Sequence, residues 1–148
     1  MSRIDVLRPF VEKNLAALIG SDKVAPDASG EYVFPHGSAE ISVRLLDDPF
    51  PMLQLSSVLV SKPKKKARLL EALNSANASE LAIRIFKYED LIIAAWEVPA
   101  DTLDDRQFHD ICMRFAEAAD RLDTNLSKKF GGKTARTDKD DDEETVDA

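Results

Sequence analysis

Apolar residues recur at intervals of three and four between residues 5 and 19, where Leu7, Phe10, Val11, Leu15 and Leu18 share one face. The spacing predicts an amphipathic helix that Asp5 can cap, with Pro9 in or beside its first turn and Gly20 at its end. SDKVAPDASG then reads as a loop, and the period falls to two. EYVF, AEISVRLLDD and PMLQLSSVLV are expected strands, separated by the turn-rich PHGS and DDPFP. In the second, Ile41, Val43 and Leu45 oppose Ser42 and Arg44; in the third, Leu53, Leu55 and Leu59 oppose Gln54, Ser56 and Val58.

SKPKKKARLLEALNSANAS predicts a second helix, with Ser61 as cap, Pro63 just inside the start, and Leu69, Leu70, Leu73 and Ala76 as its stripe. LAIRIFKY and LIIAAWEV flank Glu89-Asp90 as a hairpin. A long helix follows in TLDDRQFHDICMRFAEAADRLDTNLSKKF, with Thr102 and Asp105 spaced as a capping box. Its stripe is Phe108, Ile111, Cys112, Phe115, Ala119, Leu122 and Leu126, and Gly131 ends it. The expected fold is α+β: helix, three strands, helix, two strands, helix, with an antiparallel sheet carrying its helices on one face. Residues 1–132 are expected to form one domain and 133–148 a disordered acidic tail.

The hairpin carries the main functional signal. A two-residue turn at Glu89-Asp90 pairs Tyr88 with Leu91, Phe86 with Ile93, Arg84 with Ala95 and Ala82 with Glu97 on one face. The other face pairs Ile85 with Ala94, Ile83 with Trp96 and Leu81 with Val98, wholly apolar, and should meet the helices. The first face is mixed, yet Phe86, Tyr88, Leu91 and Ile93 gather near the hairpin tip as a candidate dimer or protein-binding surface. A loop or the N-terminal helix folding over it is the alternative.

Composition narrows the function classes. The 148 residues carry a net charge of −7, which disfavours nucleic acid and anionic lipid and favours solubility. Cys112 stands alone, so no intrachain disulfide forms, in keeping with a reducing cytoplasm. No apolar run approaches the roughly 20 residues of a membrane span, and MSRIDVLRPFVEKNL lacks a signal peptide's apolar region. A cytoplasmic protein is expected.

Catalytic chemistry has little support. His109 and Cys112 share a helix face, but two ligands do not make a metal site. Phosphate-loop, dinucleotide, nucleophile-elbow and zinc-protease motifs are all absent. No cofactor and no enzymatic activity are expected. KPKKKAR is the one dense basic run, and Lys62, Lys64, Lys65, Lys66 and Arg68 are candidate electrostatic contacts. They could meet an acidic partner, nucleic acid or this chain's own DKDDDEE. At a helix start they would oppose the helix dipole.

Three stretches carry a resemblance. LLEALNSANAS, EVPADTLDD and AADRLDTNLSKKFGG look like the matching segments of YbjN-like proteins. From about Arg3 to Gly132 the chain resembles the superfamily joining these with type III secretion chaperones (Tir chaperone-like). The resemblance implies small, acidic, cytosolic proteins of the helix–three strands–helix–two strands–helix fold. Secretion chaperones are usually homodimers that bind extended client segments along sheet edges and apolar patches, and YbjN-like members are taken as regulators or peptide-binding chaperones. The implied function is non-catalytic binding of protein segments, with a homodimer and a protein client as partners. No family residue transfers to a position here.

Overall fold

The computed structural model describes residues 3–135. Helix α1 (Arg3–Ile19) leads into three strands, β1 (Tyr32–His36), β2 (Ala39–Leu46) and β3 (Met52–Ser61). Helix α2 (Leu69–Ser79), the hairpin β4 (Arg84–Tyr88) and β5 (Leu91–Pro99), and helix α3 (Asp105–Phe130) complete the order. The five strands are antiparallel in the order β1-β2-β3-β5-β4, so β1 and β4 are the edges. This is the element order and one-sided helix packing that the hydrophobic periods predict.

Period-two burial fixes which face is core. Tyr32 and Phe34, Ile41 and Val43, Leu53 and Leu55, and Ile92 and Ala94 all fall on the side packed with Val11, Leu15, Phe108, Phe115 and Leu122. Burying a Leu, Val or Phe side chain contributes about 1.5–3 kcal/mol, so this layer is the main stabilising element. The α3 stripe is buried as expected, except that Ile111 is only partly so.

Several local expectations are corrected. Helix α1 begins at Arg3, so Asp5 sits inside its first turn and bonds Arg8 at 3.3 Å rather than capping. Pro9 consequently lies in the second turn, where its missing N–H forgoes one helical bond. Strand β4 starts only at Arg84, because Ala82 adopts a left-handed φ of 67°. That turns Leu81 outward, 74% exposed, so neither Leu81–Val98 nor Ala82–Glu97 becomes a strand pair. The α3 cap is Asp104 with Gln107, not Thr102 with Asp105: the Gln107 N–H donates to Asp104 Oδ1 at 2.7 Å, and the Asp104 N–H donates to Gln107 Oε1 at 3.0 Å.

The largest correction concerns the basic run. Ser61 ends β3 and residues 62–68 form a loop, with Lys62 and Arg68 at φ 51° and 59°. Helix α2 begins at Leu69, after Arg68 and without a side-chain cap. The backbone N–H groups of Lys64 and Lys65 both donate to Phe130 O at 2.8 Å, so the loop caps the C-terminus of α3. The lysines therefore sit at the negative end of a 26-residue helix, where the dipole favours them.

The boundary expected after Gly132 falls inside packed chain. Lys133 exchanges backbone hydrogen bonds with Ser61 at 2.8 and 2.9 Å, and Thr134 is buried. Of the expected tail, residues 136–148 lie outside the described residues.

Candidate protein-binding face

The hairpin register is the one that an even turn dictates: Tyr88 opposite Leu91, Phe86 opposite Ile93, Arg84 opposite Ala95, and Ile85 opposite Ala94. Pairing then extends the tip cluster across the sheet. Ile93 faces Phe86 on one side and Val58 of β3 on the other. On this face Tyr88 is 59% and Val58 41% exposed, while Phe86, Leu91 and Ile93 are half-buried. Helix α1 does not cover them, because it packs against α3 and β2. Structure thus brings Phe86, Tyr88, Leu91 and Ile93 together as expected. It adds Val58 and, on β1, the exposed Val33. The signal for Val58 was available, since it follows Gln54 and Ser56 in the polar phase of β3.

Beside this patch the floor of the sheet is small. Ser42, Ser56 and Ala95 are consecutive neighbours across β2, β3 and β5. Val33, Val58 and Ile93 border them, leaving a cleft of about 340 Å³ that Ala135 also touches. Ser42 Oγ is buried there without a hydrogen-bond partner among the described residues. The far side is polar. Arg84 and Glu97 form an ion pair, Gln54 Nε2 donates to Glu97 Oε1 at 3.0 Å, and the Arg84 guanidinium stands 4.9 Å from the Phe86 ring centroid. The Arg84 hydrogen bond holds the Glu97 carboxyl below its ordinary range. Rigid strands thus present apolar side chains, a shallow hydroxyl-lined floor and a fixed charge pair.

The basic residues form a separate group at the end of the sheet. Lys62, Lys64, Lys65, Lys66 and Arg68 are all exposed, and Lys66 pairs with Asp90 in the hairpin turn at 3.5 Å. The candidate chemical residues stay apart from both groups. Cys112 is fully buried, and burial pushes its thiol up to about 12. Among the described residues, no three His, Cys, Asp or Glu side chains gather as metal ligands. A wider hollow of about 610 Å³ between Leu81 and α3 is lined by charges of both signs, including Glu80, Arg114 and Arg121.

A helix-backed antiparallel sheet whose other face carries an apolar patch left bare by the helices among the described residues has the build of a binding module. The chain belongs to the family described as T3SS (YopN, CesT) and YbjN peptide-binding chaperone 1, whose model matches residues 5–138. This is a family of non-catalytic chaperones. The fold is shared with the ExsC–ExsE complex, at 16% identity and a TM-score of 0.66 over 80% of this chain and 94% of that one. It is shared also with the HopA1–SchA chaperone–effector complex, at 11% identity and 0.65 over 86% and 98%. YbjN from E. coli matches at 14% identity and 0.55 over 84% and 93%. No curated protein matches the sequence significantly. No helix among the described residues is long and apolar enough to cross a membrane.

Proposed function

We propose that this protein is a cytoplasmic, homodimeric chaperone that holds extended segments of a protein client on its helix-free sheet face. Phe86, Tyr88, Leu91 and Ile93, with Val58 beside them, form the client contact. The single observation that carries the reading is the row Val58–Ile93–Phe86. It is three apolar side chains on three adjacent strands, partly open to water on a face that the helices leave bare. Exposed apolar clusters of this kind mark interaction surfaces. A client covering about 200 Å² of it would gain about 5 kcal/mol before ordering costs. A solved neighbour that is a chaperone–effector complex and the family's peptide-binding description support a protein or peptide client.

Ile93→Asp tests the reading. Ile93 is on the face without helices, so the variant is expected to keep the wild-type circular dichroism spectrum. It should lose capture of extended peptides from an immobilised library, and sedimentation should report whether it still forms dimers. Lost capture with an unchanged dimer supports a client surface. Conversion to monomer assigns the face to the second copy. Unchanged capture and unchanged mass refute both assignments.

A further inference from the structure

We propose that the basic loop Lys62–Arg68 is a docking site for an acidic segment, and that this chain's own residues Asp138–Asp147 occupy it. The first support is charge. Residues 136–148 hold seven acids and two bases, which accounts for −5 of the chain's −7, while 62–68 is the densest basic run. Among the described residues, Lys62, Lys64, Lys65 and Arg68 have no ion-pair partner and are exposed. Lys128 and Lys129, in the last turn of the α3 helix that the loop caps, add to the same cationic end.

The second support is connection. After Phe130 the chain does not leave the molecule but returns to the foot of the loop, where Lys133 and Ser61 exchange two backbone hydrogen bonds. Lys62 is the next residue after Ser61. The last described residue, Ala135, lies beside Val58 on the helix-free face, and from there to Asp138 the chain spans at most about 11 Å, each further acid adding about 3.5 Å. Turning back along β3, the acids are thus within reach of the lysines at an effective concentration in the millimolar range. Opposite charges held this close attract appreciably within the roughly 8 Å screening length at physiological salt.

The site lies next to the hairpin tip, since the Lys62 N–H donates to Asp90 O at 2.7 Å, two residues from Tyr88. An acidic client segment reaching the Tyr88 and Leu91 end of the sheet would meet the loop already neutralised. The docking itself depends on no client, so it stands or falls separately from the function proposed above.

The test is a full-length variant carrying Asp138→Asn, Asp140→Asn, Asp141→Asn, Asp142→Asn, Glu143→Gln and Glu144→Gln, compared with wild type by amide NMR. Docking predicts that signals of residues 62–68, 128 and 129 differ between the two chains at low salt and converge as salt rises. A hexaglutamate peptide should bind the neutralised variant about tenfold more tightly than wild type, the site then being vacant. Identical loop signals in the two chains, equal peptide affinity, or changes centred on Arg44 and Arg84 instead would each overturn the assignment.

Discussion

The side-chain amide of Asn77 takes both backbone polar groups of Ile85. The Ile85 N–H donates to Asn77 Oδ1 at 2.7 Å, and Asn77 Nδ2 donates to Ile85 O at 2.7 Å and to Leu73 O at 3.0 Å. Helix α2 thereby closes the middle of the β4 edge, where an open strand would invite another chain to pair. Strand addition, if clients use it, is directed to β1.

Asn77→Ala should lower stability by about 2 kcal/mol, because both strand groups of Ile85 lose their partner at once and Leu73 O loses its second donor. Chemical denaturation measures it. Asn77→Asp should recover little, since it can still accept from Ile85 but no longer donates to either carbonyl.

The turn between β1 and β2 is held to α3 by acids. Ser38 donates to Asp120 Oδ1 from its N–H at 2.8 Å and from its hydroxyl at 2.9 Å, and the hydroxyl also lies 2.7 Å from Asp123 Oδ1. Asp123 is fully buried, its Oδ2 has no partner among the described residues, and burial raises its carboxyl above the ordinary range. A raised acid binds more protons folded than unfolded, so its contribution favours folding at low pH. That contribution declines as pH rises from the ordinary carboxylate range through the raised value. Asp120, depressed chiefly by the Ser38 N–H bond, acts in the opposite sense. Asp123→Asn should therefore flatten the decline and leave neutral-pH stability equal or higher, in melting curves taken across pH. Asp123→Ala should be lower, because the Ser38 and Thr124 hydroxyls lose an acceptor.

Gly37 in the same turn has φ 59°, and a Cβ there would run into the Asp120 carboxylate. Gly37→Ala should cost at least about 1–2 kcal/mol from the left-handed backbone alone. Asp120→Ala in that background should restore part of the loss, and thermal unfolding of the pair reads it.

On the helix-free face, Glu97 is depressed by the Arg84 hydrogen bond. A depressed acid stabilises above its unfolded value and loses that contribution as pH falls through the folded one. The pair is partly exposed, so Glu97→Gln should cost at most about 1 kcal/mol at neutral pH, and the difference should vanish in acid. Denaturation midpoints at the two pH values check it.

Cys112, buried with its thiol near 12, should resist an aromatic disulfide reagent in the native state and react at the rate of unfolding. Fast labelling of the folded chain would mean that the α3 core opens locally.

Much of this was legible in the sequence, for reasons that differ by element. The Glu89-Asp90 turn fixes an even loop, and with it Phe86 opposite Ile93 and Tyr88 opposite Leu91. The α3 stripe is strong because seven apolar positions repeat over a long helix. What stayed hidden depended on contacts between distant segments. KPKKKAR looks like a helix start until Phe130 supplies the carbonyl that its amides cap. The Asn77 side chain is a motif letter until Ile85 lies beside it. The choice of Asp104 over Thr102 as cap was by contrast local and legible, since Gln107 stands three residues after Asp104 and is a better capping-box partner than Asp105.

Strand β3 shifts register between Val58 and Val60, so that Leu59 and Val60 are both buried and Ser61 stands opposite Leu91. Read in the regular frame, Val60 would join Val58 outside and Ser61 would turn inward. One surplus residue thus sets where the adhesive part of the surface stops: a valine is withdrawn from it and a serine drawn to its border. The same letters slid by one place would make a stickier molecule, with a hydroxyl stranded in its core.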